Sequence, residues 1–326
     1  MTAAVLRLQR SPRSDAALNA RELAWWNANA ATIARVWEMP VEVSRVVRGR
    51  YLERARNFFL EGRERATVLE LGCGSGWVGQ ALAGPRLAIV GVDFSQAQID
   101  LALGRARRTG VEAYCRYFVS TPGERPQALP QVDAALIHAY LHHLDDEEID
   151  GALAEVRAAL SPGARVWIYE PAFRTAPAPA RRPALRSRLG MRLCAVGARL
   201  LRVAGGLLGL RDEAVDARFQ ALAGEAQRNG WYLSPKEVPL QEEAFTRRLE
   251  RTFRVRSSYW ATLHLVGWAY ECALLEDSVL RKLACALYLR MARAVDAWAL
   301  RDEAMVAAAT TPPAHAFRVW ECEVRA

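Results

Sequence analysis

An α/β fold on a mostly parallel sheet is what this sequence predicts, and three observations predict it. An apolar run, Val68-Leu69-Glu70-Leu71, leads into a loop with glycine at 72, 74 and 76. A second apolar run, Val90-Gly91-Val92, ends in Asp93, about 20 residues after the loop begins. Beyond it, strand-like runs keep alternating with stretches of helical period as far as Tyr169. Such alternation makes neighbouring strands parallel and covers the sheet with helices on both faces.

Composition narrows the class. The chain has 326 residues, 52% hydrophobic and 25% charged, which suits a large α/β domain with helical additions. No apolar run reaches the length of a membrane span without a charge or several glycines. Arg7, Arg10 and Arg13 interrupt the stretch where a signal peptide would be continuously apolar. Cysteines 73, 115, 194, 272, 285 and 322 show no C-x-x-C spacing. They read as reduced thiols of a cytoplasmic protein, with no metal site expected. The net charge of +8 invites a polyanion partner. Against it, Lys236 and Lys282 are the only lysines, and arginine with abundant alanine reads as the usage of a GC-rich genome. No nucleic-acid partner is expected.

The elements follow in order. Residues 1–15 read as flexible. Leu23, Trp26, Ala30, Ile33 and Trp37 recur at helical spacing, Pro40 interrupts, and Val43, Val46, Val47, Tyr51, Ala55 and Phe58 resume. Trp25 and Trp26 are adjacent and are not expected to share one core, so Trp26 is a candidate to line a pocket. Strands are predicted over 67–71, 88–93, 113–119, 134–138 and 165–169, and helices over 77–83, 96–109 and 147–160. Asp145 and Asp146 stand where a helix cap belongs, and Pro162-Gly163 is a turn. Pro171, Pro177, Pro179 and Pro183 mark a linker.

Residues 185–208 then read as an amphipathic helix. Arg188, Arg192, Arg199 and Arg202 share one side, and Leu189, Leu193, Val196 and Leu200 another. One reading is a basic face for an acidic substrate or an anionic membrane, a peripheral contact. The favoured reading is a cap helix with a solvated arginine face, because Gly190, Gly197, Gly205 and Gly206 weaken a free surface helix. Residues 253–259 read as a sixth strand, 263–308 as apolar helix, and 317–324 alternate as an antiparallel strand does. The organisation is therefore an N-terminal helical cap (1–64), a ligand-binding core (65–172) and a helical insertion (173–250). The remainder of the core (251–326) carries a second insertion between its last two strands.

The glycine loop states the ligand class. Gly72, Gly74 and Gly76 can take positive φ and let a ligand approach the backbone. The helix that follows offers free N–H groups, and Asp93 can accept both hydroxyl protons of a ribose. The spacing G-x-G-x-G departs from the dinucleotide fingerprint G-x-G-x-x-G.

At these residues the chain resembles the class I S-adenosylmethionine-dependent methyltransferases. Glu70-Leu71-Gly72-Cys73-Gly74-Ser75-Gly76 is similar to their first motif, and Val92-Asp93-Phe94-Ser95 to their ribose motif. The likeness continues through Val132-Asp133, His142-His143-Leu144, Leu160-Ser161-Pro162-Gly163 and Val166 to Pro171. It implies a seven-stranded Rossmann-like sheet, mostly parallel with the last strand antiparallel. It also implies an N-terminal lid and helical insertions after strands five and six. It implies S-adenosyl-L-methionine as cofactor, held by Glu70, Gly72, Cys73, Gly74, Gly76, Asp93, Phe94, Ser120 and His138. The family often places an Asp after the third strand for the adenine amino group. Here Tyr117 to Thr121 holds no acid, so Ser120 or a backbone carbonyl takes that role, with Phe94 against the ring.

Methyl transfer is an in-line displacement, for which a general base is needed when the acceptor is a hydroxyl or a protonated amine. His142, His143 and Tyr140, beyond the fourth strand, are the catalytic candidates; the alternative is that these histidines only support loop and cofactor. Glu170 is a candidate to meet the acceptor, or else anchors the linker. The expected function is methyl transfer to a hydroxyl, amine or carbon of a small natural-product, sugar or lipid intermediate. One alternative is an RNA methyltransferase, against which the fourth strand lacks the Asn/Asp-Pro-Pro-Tyr/Phe tetrapeptide. Another is a cofactor-binding protein with a cyclase-like or scaffolding role.

Overall fold

The computed structural model describes residues 15–37, 49–120, 132–175, 182–230, 233–262, 266–312 and 316–325. The readings for residues 1–14, for Pro40 and Val43 to Val47, and for Pro177 and Pro179 fall outside them.

Continuous apolar runs become central strands. β1 (Ala66–Leu71), β4 (Ala134–His138) and β5 (Arg165–Phe173) are buried at nearly every position, as strands covered on both faces must be. With β2 (Leu87–Asp93) and β3 (Cys115–Val119) they form a parallel set. β8 (Ala316–Val324) runs antiparallel between β5 and β7 (Phe253–Thr262), and the strand order is β3-β2-β1-β4-β5-β8-β7. This is the expected seven-stranded sheet, extended by a two-residue strand, β6 (Leu240–Gln241), beside Ala172 and Phe173. Pairing with β8 as far as Ala172, and with β6 at Ala172 and Phe173, carries β5 four residues past its expected end. The order reverses between β1 and β4, so a crevice opens at the carboxyl ends of those strands.

Helices α1 (Ala16–Trp37) and α2 (Gly49–Phe59) precede the sheet. Phe58 and Phe59 of α2, with Val78 and Leu82 of α3 (Trp77–Leu82), cover Val68, Ile89, Leu136 and Trp167. α4 (Gln96–Thr109) packs behind β2 and β3. On the other face Ile149, Leu153 and Val156 of α5 (Asp146–Ala159) pack on Leu69, Ile137, Val166 and Ile168. Each such side chain contributes about 1.5–3 kcal/mol by leaving water. Asp145 caps α5 in a reciprocal box with Glu148.

The cap comprises α6 (Leu185–Leu207), α7 (Glu213–Asn229), α9 (Val266–Leu274), α10 (Val279–Leu283), α11 (Leu289–Ala299) and α12 (Glu303–Thr310); α8 (Glu242–Thr252) belongs to the core. α6 corrects the sequence reading. Its buried residues are Ser187, Gly190, Cys194, Gly197, Leu201 and Gly205, while its leucine stripe faces water along with the arginines. The glycines explain this. A Cβ on Gly190 would meet Val295 at 2.9 Å, and one on Gly205 would meet Leu275 at 2.7 Å, so only hydrogen permits this approach. Among the described residues no helix is long and apolar enough to cross a membrane.

Candidate active site

The glycine loop lies at the carboxyl end of β1. Gly72, Gly74 and Gly76 all have positive φ. A Cβ on Gly72 would sit 2.2 Å from the Tyr140 ring, and one on Gly76 would sit 2.7 Å from Tyr117 Oη. The loop is thus pressed between two tyrosines. Gly74 differs: its missing Cβ faces open space, with only Gln98 Oε1 within 4 Å among the described residues, at 3.8 Å. That oxygen is buried and has no hydrogen-bond partner among the described residues.

Asp93 ends β2 beside this opening. Oδ2 accepts from the Gly74 N–H at 2.9 Å, and Oδ1 from the Ser95 N–H at 2.9 Å. One lone pair on each oxygen remains, enough for two hydroxyl donors. Burial pushes this carboxyl up to about 6, although the Ser95 and Gly74 N–H groups pull it down. Glu70 lies deeper. Oε1 accepts from the Gly79 N–H at 3.1 Å, and burial pushes the carboxyl up to about 8. It braces the loop from beneath, in keeping with its 1% exposure. Cys73 is also buried, its N–H bonded to Val92 O. Ser120 donates its N–H to Asp93 O, and Phe94 is half-buried nearby. α1 closes over this region, where Asn27 Oδ1 accepts from Ser95 Oγ at 2.7 Å.

The segment after β4 turns sharply at Ala139, whose φ of 52° is the one positive value on a non-glycine among the described residues. Such a conformation costs about 1–2 kcal/mol and is kept only where its surroundings hold it. Here it directs Tyr140 onto Gly72. Glu170 holds the turn: Oε1 accepts from the Tyr140 and Leu141 N–H groups at 2.8 Å, and Oε2 faces His142 Nδ1 at 2.6 Å. Fully buried, Glu170 braces the turn after β4.

His142 is clamped on its other nitrogen as well, with Nε2 3.1 Å from Glu237 Oε1. Burial opposes the charged ring, but the bonds to Glu170 and Glu237 outweigh it and push His142 up to about 9. A ring held protonated between two carboxylates is not placed to accept a proton. Burial likewise pushes the Tyr140 phenol upward, so it remains neutral. His143 is arranged differently. Nδ1 lies 3.0 Å from Glu22 Oε1, and the ring meets the edge of Trp26 with centroids 5.3 Å apart. Burial opposes the charge on Glu22, yet His143, Ser234 and the Lys236 N–H hold its carboxyl below the usual range.

Sequence reasoning missed Glu22, Ser234, Lys236 and Glu237. One signal was present: Glu22 is four residues before Trp26, an acid on an apolar helical stripe. Nothing marks Glu237, which arrives on a loop 95 residues from His142. His142, His143 and Glu237 offer ligand atoms within 4.8 Å of one another, a set that can hold a metal ion; no ligand spacing in the sequence marks it. Trp26 corrects the expectation that the paired tryptophans face apart. Their rings meet edge to face at 5.2 Å, and both pack near Ile33 and Leu222, the two indoles being wide enough to bridge 100° of helix.

A wall of rings gathers around the end of β4. His138 stacks on Tyr169 at 4.3 Å, and Tyr169 on Phe317 and Tyr51 at 5.0 and 5.1 Å. Trp77 meets His138 edge-on at 5.0 Å. These residues come from β4, β5, β8, α2 and α3, so strand register alone aligns His138 with Tyr169.

A nucleoside cradle fits this geometry: an open glycine, an orphaned buried acceptor on Gln98 and a carboxylate with two spare lone pairs. Comparison with known proteins gives it a class. Residues 68–163 match the family profile of the methyltransferase domain. Comparison with curated protein sequences yields no match. Geranyl diphosphate C-methyltransferase from Streptomyces coelicolor A3(2) is similar over 96% of this chain and 99% of its own, with 11% identity and a TM-score of 0.52. The N-methyltransferase NodS from Bradyrhizobium japonicum WM9 is similar over 93% and 98%, with 11% identity and a TM-score of 0.46. The [4+2]-cyclase SpnF is similar over 85% and 80%, with 15% identity and a TM-score of 0.47. At such identity the first of these bears on fold alone. What is shown is therefore a methyltransferase domain over residues 68–163, set in a Rossmann-like sheet. That match supports an enzyme of this kind, with S-adenosyl-L-methionine as cofactor.

Proposed function

We propose that this protein uses S-adenosyl-L-methionine to methylate a hydroxyl, amine or carbon of a small molecule in the cytoplasm, a natural-product, sugar or lipid intermediate. The observation that carries this reading is the pairing of the open Gly74–Asp93–Gln98 cradle with the ring wall of His138, Tyr169, Tyr51, Trp77 and Phe317. The cofactor supplies an activated methyl on a sulfonium. Asp93 accepts the ribose hydroxyls with its spare lone pairs, and Gln98 Oε1 accepts a further donor. The rings exclude water, and their faces favour positive charge. Alignment in such a dry cleft is worth about 7–11 kcal/mol.

For proton removal we assign His143. Nδ1 on the ionised Glu22 fixes the tautomer and leaves Nε2 to accept, the usual arrangement of a base with its orienting carboxylate. Such a base contributes about 10²–10⁴-fold. His142 instead ties the β4 turn to the loop that carries Glu237.

Calorimetry with S-adenosylhomocysteine tests the cradle. Wild type should bind, and Asp93→Ala should lose two hydrogen bonds to a charged group, about 1.5–3 kcal/mol each. Affinity should also fall as pH drops through about 6, because protonated Asp93 loses an acceptor site. A wild-type chain blank at saturating ligand overturns the reading.

A further inference from the structure

Helix α6 is built inside out. About six turns long, it buries serine, glycine and cysteine and one leucine. Toward water it shows Leu185, Leu189, Leu193, Val196, Leu200, Val203 and Leu207, each 50–84% exposed. Their steps of three and four residues keep them on one stripe for the whole length of the helix. A helix that meets only water on its outer side gains nothing from such a stripe, and contiguous exposed apolar surface marks an interaction site. The helices behind it repeat the feature with Val279, Leu283, Leu287, Met291 and Trp298 exposed. The whole assembly is held by the Cys194–Leu201–Cys272–Val295 cluster.

Charge says what the stripe meets. Beside the leucines, Arg188, Arg192, Arg199 and Arg202 form a second exposed stripe, and Arg182 and Arg186 precede them. No acidic residue occurs from 171 to 211. Of these six arginines only Arg202 has an ion-pair partner among the described residues, Glu271. A second copy of this face would bring the same arginines together with no local acid to answer them, since a two-fold contact places a patch on itself. An apolar stripe flanked by unanswered arginines fits an anionic bilayer surface, where leucines enter the acyl boundary and guanidinium groups meet the headgroups. No described helix can span a bilayer, so the contact lies in its plane.

We propose that the outer face of α6 docks the protein on anionic membranes. The face stands on its own observations, whatever the acceptor of the methyl group. Sedimentation of the full chain with lipid vesicles tests it, using phosphatidylcholine alone and phosphatidylcholine with a third phosphatidylglycerol. The chain should sediment with the anionic vesicles, and more weakly as salt rises. Arg188→Gln and Arg192→Gln should each weaken binding about fivefold. Leu193→Glu with Leu200→Glu should abolish it while leaving S-adenosylhomocysteine binding intact, which also shows that this variant is folded. Absence of binding to anionic vesicles overturns the proposal. So does equal binding by the double glutamate variant, or a wild-type dimer that this variant converts to monomer without any vesicle binding.

Discussion

Helices α5 and α6 carry similar amphipathic patterns and are turned opposite ways. α5 lays Ile149, Leu153 and Val156 on the sheet and leaves its polar side in water. α6 lays Gly190, Cys194 and Gly197 on its neighbours and leaves leucines in water. Periodicity says that a helix has two faces. Which face turns inward depends on what the neighbouring surface accepts. The strands under α5 present a broad apolar face that large side chains fill. Val295 and Leu275 already fill the space under α6, so only a nearly bare backbone can approach them.

The largest test of this contrast is a pair of truncations. Leu153→Ala should cost about 2–5 kcal/mol in urea unfolding, because it opens a cavity under α5. Leu193→Ala should stay within about 0.5 kcal/mol, as exposed sites do. Comparable losses at both would break the comparison.

His142 ties core to cap, and its effect should depend on pH. Its folded value, raised to about 9 from 6.5, means that protonated His142 stabilises fully below pH 6.5 and loses that effect as pH rises through about 9. Denaturant unfolding across pH 6.5–10 should lose about 2–3 kcal/mol in wild type and far less in His142→Gln.

Glycine substitutions sharpen the contrast further. Gly190→Val crowds Val295 and should destabilise by about 1–3 kcal/mol. Gly151→Ala, in α5, meets nothing within 4 Å and should stabilise by up to about 1 kcal/mol. Thermal unfolding of the two variants should shift in opposite directions. At the cap of α5, Asp145→Ala should cost about 1 kcal/mol.

Legibility follows the range of the interactions. The glycine loop, Asp93 and the capped α5 are local devices, each encoded within a few residues, and they appear where the sequence predicts them. The third strand starts two residues later than expected because a 3₁₀ turn occupies Glu112–Tyr114. The histidine cluster was legible as a cluster but not in its roles. His142 and His143 are neighbours in sequence, yet one is clamped by Glu170 and Glu237 and the other is paired with Glu22. Those three acids come from three distant segments, and no pattern within the chain announces the meeting.

By itself the sequence determined the sheet, its order of elements, the glycine loop with Asp93 beside it and the existence of an amphipathic helix after the fifth strand. These rest on period, glycine and caps, which act over a turn or a strand. Tertiary structure alone decided which acids each histidine meets, which aromatic rings form one wall and which side of α6 meets solvent. Each of these is settled by contacts between residues far apart in the chain, where burial, partner charge and available space outweigh local preference.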